Sequence, residues 1–402
     1  MTSVEHFKAG LALYRAGNLE ACIPEYEAAL RLNADSSAAH HNLGLAYFDL
    51  ERYEEAISQY QEALRVKPGD SHYHNSLGLA FDNLGQKERA AEKYLGALEI
   101  SPLLSTANYN YARILWKQGD LPGAVARCRI AADQNPNGED VYLRLGLILA
   151  EMKDYDAAVV EYRKYLRLNP DNFKVHFLVG AACRRQGRLN EAIEEYQRCL
   201  ALNPDYEAAY LSLGNCLLKK KKWRDAEHSF REFIRLKPAR ASPHYELGNI
   251  LRKTRRFNEA IAEYTAALKI DPDYFKSCLN LAITHYQRGS GAWAVIHARR
   301  ATVIRPESPE AHYLLGRSLG SLGERPEAII EMHEAVRLAP ASGEYHLYLA
   351  TLLTQHRQFV EGRQESQRAL HFCPWNVEFW TIYLFLEWYA FLCWFFRVPK
   401  SS

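Results

Sequence analysis

The stretch Leu168-Asn169-Pro170-Asp171 decides the fold, because its proline marks a period that runs through the whole chain. Pro68, Pro102, Pro136, Pro170, Pro204, Pro238, Pro272, Pro306, Pro340 and Pro374 are each 34 residues apart, and they are ten of the sixteen prolines in 402 residues. Ala34 holds the same place one unit earlier. Chance does not produce such a series. It divides the chain into units that start at 3, 37, 71, 105, 139, 173, 207, 241, 275, 309 and 343, so that eleven units end at Asn376.

Other places repeat in phase. The eighth residue of a unit is Gly10, Gly44, Gly78, Gly146, Gly180, Gly214, Gly248 or Gly316, and Ala112, Ala282 or Ala350 in the rest. The twentieth is alanine in nine units, broken by Cys22 and Gly362, and the twenty-fourth is usually aromatic, as in Tyr26, Tyr60, Tyr94, Tyr162, Tyr196, Phe230 and Tyr264. Apolar residues at three- and four-residue spacing predict one face of a helix in each half-unit. A short turn separates the halves, often with glycine, as at Gly17, Gly85, Gly119, Gly187, Gly289 and Gly323. Small residues let the two helices approach closely while the aromatic fills the space beside them. A larger side chain at Gly78 or Gly214 is expected to overpack that contact, by roughly 1–3 kcal/mol. The closing proline cannot continue the second helix. Asp70, Asp171, Ser308, Ser342 and Asn376, just beyond it, are candidate caps for the helix that follows.

This pattern resembles the tetratricopeptide repeat family, over residues 3–376. The resemblance implies an antiparallel helix pair in each unit and an all-α, right-handed superhelical solenoid of about eleven units. A C-terminal apolar helix over 377–396 and a short tail, 397–402, follow the array. The eleventh unit departs from the pattern at Gly362 and Ser366, so looser packing is expected there.

The composition is ordinary, at 48% hydrophobic, 24% charged and a net charge of +2, so any electrostatic recognition must be local. The N-terminus has no basic segment followed by an apolar core, which argues against a signal peptide. Eight cysteines fall without a C-x-x-C, mostly inside apolar helical patterns, which favours reduced thiols in a cytoplasmic setting over zinc. The eleven units leave two residues before them and twenty-six after, with no room for a catalytic domain. No phosphate-binding glycine loop, zinc-protease motif or nucleophile elbow is present. A non-enzymatic protein without cofactor or metal is expected.

Seven of fifteen histidines hold the fourth place of a unit: His6, His40, His74, His176, His244, His312 and His346. Equivalent side chains in successive units lie at helix-packing distances of ~8–10 Å or more, too far apart to share a metal. They are expected to pack, as Tyr142, Tyr210 and Trp380 do in the same place.

The resemblance places the second, fifth, ninth and twelfth residues of each unit on a concave groove. In units four to ten these include Tyr109, Arg113, Trp116, Lys174, Phe177, Arg184, Asn215, Tyr245, Asn249, Arg252, Lys276, Tyr286, Tyr313 and Arg317. Aromatics among Lys and Arg suit a peptide segment carrying acidic groups, against the alternative of a solvated groove. The carboxylate clamp of chaperone-binding relatives is rejected, because Glu246 stands among the matching positions.

A second surface is the basic edge of Arg184, Arg185, Arg188, Lys219, Lys220, Lys221, Lys222, Arg224, Arg252, Lys253, Arg255 and Arg256, all in turns between paired helices. Solvated turns, an acidic protein and anionic lipid are the open alternatives. Nucleic acid is disfavoured, since Trp223 is the only aromatic in these turns.

The end of the chain poses its own question. Phe379–Phe396 carries one charge, Glu387, in eighteen residues. A terminal cap should be polar outside, and this helix has no polar stripe. Trp380, Phe385, Trp388, Phe391, Trp394, Phe395 and Phe396 are its candidate contact residues, and membrane contact, a buried cap and a partner or self-association surface all remain open. The expected function is a protein-binding scaffold or adaptor. The alternatives are a substrate-selecting subunit of a modifying enzyme and a membrane-attached assembly factor.

Overall fold

The computed structural model describes residues 1–375 and 377–395, without the side chains of Glu378, Phe379 and residues 390–395. Asn376, Phe396 and the tail lie outside the described residues, as do the side chains of Phe391, Trp394 and Phe395. Among the described residues the chain is all α, with 23 helices. The first helices of successive pairs begin at Ser3, Ser37, Ser71, Ser105, Glu139, Phe173, Glu207, Ala241, Phe275, Pro309 and Gly343. A last helix, Val377–Phe395, follows without a partner helix in the described chain. The contacts divide into two compact units, Met1–Pro204 and a second that starts at Asp205. The proline period passes through Pro204 unbroken, so the sequence does not mark that division.

Local chemistry sets the helix ends. Asp70 accepts from the backbone N–H of His72 and Tyr73, and Ser308 from that of Ala311. In the unit that starts at Phe173 the cap is Asn172 rather than Asp171. Each turn inside a pair passes through a left-handed residue. Six of these are glycines, Gly17, Gly85, Gly119, Gly187, Gly289 and Gly323, and five are Glu51, Lys153, Lys221, Arg255 and Arg357, with φ between 57° and 66°. For a side chain with a Cβ this conformation costs roughly 1–2 kcal/mol.

In seven of the pairs the aromatic of the second helix lies directly on the glycine of the first, closer than the sequence implied, and in an eighth Met332 takes the aromatic's place. A Cβ on Gly10 would meet Tyr26, one on Gly248 would meet Tyr264, and one on Gly316 would meet Met332. Where the eighth residue is alanine, the facing residue is small: Ala112 with Cys128, Ala282 with Ala298, and Ala350 with Ser366. All six of these are fully buried. The eleventh unit therefore keeps its packing through Ala350 and Ser366, against the expected looseness. The cores are otherwise built from buried aromatic and aliphatic residues, such as Tyr60, Leu77 and Phe81 in the first unit and Leu315, Leu349 and Leu353 in the second.

The last helix packs on the helix Phe359–Phe372. Leu386 is 2% exposed, the rings of Phe359 and Tyr389 lie 4.0 Å apart, and Arg363 donates to Glu387 at 2.7 Å. Glu387 is thus an inward contact, and the helix docks well past its first turns. Its other side is open: Trp380, Leu384, Phe385 and Trp388 are exposed, the last at 58%. No helix among the described residues is long and apolar enough to cross a membrane.

Candidate functional site

The row of histidines has a polar task that periodicity alone did not reveal. His176 Nε2 donates to the carbonyl of Pro170 at 2.9 Å, while Nδ1 lies 2.7 Å from Glu195. His244 repeats this with Pro238 and Glu263, His312 with Pro306 and Glu331, and His346 with Pro340 and Glu365. His40 uses Ala34 and Gln59. The carbonyl lies six residues earlier, in the turn where a helix has just ended and left an acceptor over. Other donors in the fourth place do the same: Asn108 to Pro102, Tyr142 to Pro136 and Trp380 to Pro374. Each side chain pins its own helix to the preceding turn. No group of three metal-ligating side chains occurs among the described residues.

Both nitrogens of His346 face acceptors, and a carboxylate and a carbonyl cannot both be served unless the ring carries two protons. Burial alone would lower its pKa. The hydrogen bonds to Glu365 and Pro340, together with the Glu365 charge, outweigh burial and hold it above the usual 6.5. For Glu365 burial acts upward, but His346 and Arg368 bring the carboxyl below its usual 4.5. The buried cysteines behave as small apolar residues, and desolvation pushes the Cys128 and Cys199 thiols up to about 12.

The groove candidates all sit on first helices. Lys174 and Lys276 are exposed and the other twelve are half-buried. In the first unit Arg113 pairs with Asp82, and Trp116 Nε1 donates to Glu151 at 2.6 Å. Arg144, absent from the sequence reading, ties Tyr109 and Trp116 together. Its Nη2 donates to the Tyr109 hydroxyl at 2.7 Å, and its guanidinium lies 4.7 Å from the Tyr109 ring centre and 5.8 Å from that of Trp116. Phe177 packs on Tyr196 at 5.6 Å, Lys174 stands near the Phe173 ring, and Arg184 is half-buried.

In the second unit Asn280 Nδ2 donates to Asn249 at 2.8 Å and to the Tyr245 hydroxyl at 3.3 Å, and Asn249 donates to Glu246. Tyr245 also meets Tyr274 edge-on. Tyr286, Tyr313 and Arg317 come together with Tyr348, which the sequence reading did not select. Arg252 reaches the Asn249 cluster through the Tyr264 hydroxyl, which donates to Asn249 at 2.8 Å, while Asn215 is half-buried and Lys276 exposed on the same first helices. The contacts run between residues 31 or 35 apart, from one first helix to the next.

The basic residues divide between the two units. Arg184, Arg185 and Arg188 belong to the first, where Arg188 is engaged by Glu191 and Gln186. In the second, Arg256 is held by Glu227 and Glu259, and Lys253 lies 4.7 Å above the Trp223 ring, linking two neighbouring turns. Lys219, Lys220, Lys221, Lys222, Arg224 and Arg255 are exposed. No ion pair joins any of these six to an acidic side chain among the described residues. Lys221 and Arg255 hold the left-handed turn position that glycine takes elsewhere.

A family model for the tetratricopeptide repeat matches residues 7–71, 41–105, 75–139, 109–173, 211–275 and 245–309, and a second, for the TPR repeat, matches 180–221. No curated protein sequence matches the chain. Among solved structures, the anaphase-promoting-complex assembly Cut9–Hcn1 is similar at 13% identity, over 96% of this chain and 84% of that one, with a TM-score of 0.42. Yeast Tom70 is similar at 16% identity, over 88% and 96%, with a TM-score of 0.38. YrrB, described as a TPR protein with an unusual peptide-binding site, is similar at 21% identity, over 46% and 96%, with a TM-score of 0.42.

Proposed function

The chain belongs to the tetratricopeptide repeat family, whose members typically mediate protein–protein interactions, and from that premise we propose that it is a non-catalytic scaffold or adaptor that binds peptide segments on its first-helix face. In this reading residues 3–376 supply eleven repeat units, and the groove residues from Tyr109 to Arg317 supply the contacts. One observation carries the reading. Rings and guanidiniums on this face, such as Tyr109, Trp116 and Arg144, are already held in place by one another, so binding would cost little side-chain ordering.

The test is selection of binders from a displayed library of random twelve-residue peptides on the full chain. Enriched peptides should lose binding to variants with Trp116→Ala, Phe177→Ala or Tyr245→Ala that still fold. Absence of enrichment, or enrichment indifferent to all three, would sink the groove reading.

A second reading has its own observation. The exposed, unpaired basic residues of the turns at 219–224 and 252–256 favour an additional contact with an acidic partner. Pull-down with cross-linking from the native cell, with Lys219, Lys221 and Lys222 changed to Glu, distinguishes a partner held there from one held in the groove. A stable complex with a catalytic chain would mark the protein as a substrate-selecting subunit.

A further inference from the structure

Arg113 and Arg317 occupy the same place, the ninth, in their respective units. Each reaches the twelfth residue of the preceding unit, 31 positions back. For Arg113 that residue is Asp82, whose carboxylate matches the guanidinium charge. For Arg317 it is Tyr286, whose hydroxyl lies 3.5 Å from Nη2 and carries no charge to offer. No Asp or Glu among the described residues forms an ion pair with Arg317.

Aromatic rings surround the guanidinium instead. Its carbon lies 4.9 Å from the ring centre of Tyr286, 5.4 Å from Tyr313 and 5.8 Å from Tyr348. Nε is enclosed without a hydrogen-bond partner. Glu344, a carboxylate beside this wall, is engaged by the Tyr313 hydroxyl at 2.5 Å. Tyr345 stacks on Tyr313 at 4.5 Å, and the Tyr348 hydroxyl faces the Arg317 carbonyl. The walls are therefore built, and the cation is no freely solvated arm. Ring faces attract a guanidinium but do not neutralise it. A half-buried cation held without an opposite charge is complementary to a carboxylate supplied from outside, which the planar fork can grip with two parallel hydrogen bonds.

We propose that Arg317, walled by Tyr286, Tyr313 and Tyr348, is a carboxylate-binding site that takes an Asp or Glu side chain, or a terminal carboxylate, of a bound peptide. An apolar residue next to that carboxylate lies on the tyrosine rings. The site deepens the groove reading and rests on it. At its counterpart, Arg113, the chain provides the anion itself, as Asp82.

The test uses the full chain and peptides enriched from the displayed library, remade with each acidic residue changed to its amide and with free or amidated C-termini. A subset of binders carrying a carboxylate should lose roughly tenfold to a hundredfold in affinity when Arg317 becomes Gln. The amide version of the same peptide should bind the wild type equally weakly and ignore the substitution. Arg317→Lys keeps the charge without the fork and should fall between, which guards against a fold defect in Arg317→Gln. Arg337→Gln, an equal charge change on the helix Arg325–Leu338, should leave binding unchanged. The free and amidated termini separate a side-chain carboxylate from a terminal one. Binders that depend on Trp116, Phe177 or Tyr245 but ignore Arg317 would overturn the site and leave the groove standing. A library without binders overturns the groove and the site together.

Discussion

Gly78 lies so close to the ring of Tyr94 that a Cβ on it would stand 2.8 Å from the ring's Cδ1. Gly78→Ala should therefore destabilise the compact unit Met1–Pro204 by about 1–3 kcal/mol. Tyr94→Cys alone opens a cavity and should cost about 3–5 kcal/mol. The two together recreate the pair that Ala112 and Cys128 form one unit later, so the double variant should lose clearly less than the sum. Urea unfolding midpoints of the three variants check this, and strict additivity would refute the matched-volume account.

The His346–Glu365 pair predicts a pH window. His346 is raised in the folded chain, so its contribution is complete below about 6.5 and fades as pH rises through the higher folded value. Glu365 is depressed, so its contribution is present above about 4.5 and fades as pH falls through the lower folded value. The pair is strongest between these limits. Amide exchange in Gly343–Gln355 and Phe359–Phe372, corrected for intrinsic rate, should show more opening at pH 8.5 than at pH 6. His346→Gln should flatten that difference.

Lys221 and Arg255 hold left-handed backbone at φ 57° and 60°. Replacing each by glycine should stabilise the second unit by about 1 kcal/mol, since the relief of strain exceeds the entropy glycine adds to the unfolded chain. Thermal unfolding measures the gain. If the basic turns bind an acidic partner, the same variants should bind a polyglutamate probe more weakly. A gain in stability alongside a loss in binding would separate the two roles.

The last helix should depend on Leu386 more than on its ion pair. Leu386→Ala removes a buried contact and should cost about 2–5 kcal/mol of local stability. Arg363→Ala breaks a partly exposed pair and should cost no more than about 1 kcal/mol. Limited proteolysis around residues 374–390 reads the difference, and equal effects would contradict this packing.

Much of this was legible in the sequence. Prolines and glycines gave the helix pairs, because their backbone limits act within a few residues. The pairing of Ala350 with Ser366 was legible too, but only if the eighth and twenty-fourth places are read jointly. The same holds for His346 and Glu365, nineteen apart, whose partners recur as Glu25, Glu195, Glu263 and Glu331. The clusters around Arg144 and Arg317 were not legible. Most of their contacts join residues 28, 31 or 35 apart, and which ring meets which guanidinium depends on how neighbouring pairs stack. Glu387 misled for a related reason: its partner, Arg363, lies across a helix pair, and only docking turns an isolated charge into a contact.

The histidine pins bear on how such a chain could be made. A pin such as His312 takes hold of a carbonyl six residues behind it and meets its carboxylate nineteen residues ahead. No tie of this kind waits for a distant part of the chain. Each pair can close soon after its own residues leave the ribosome, and the closed pair then offers the next one a surface to settle on. Growth in this order keeps little apolar surface bare at any moment, so synthesis and folding can advance together, one repeat at a time.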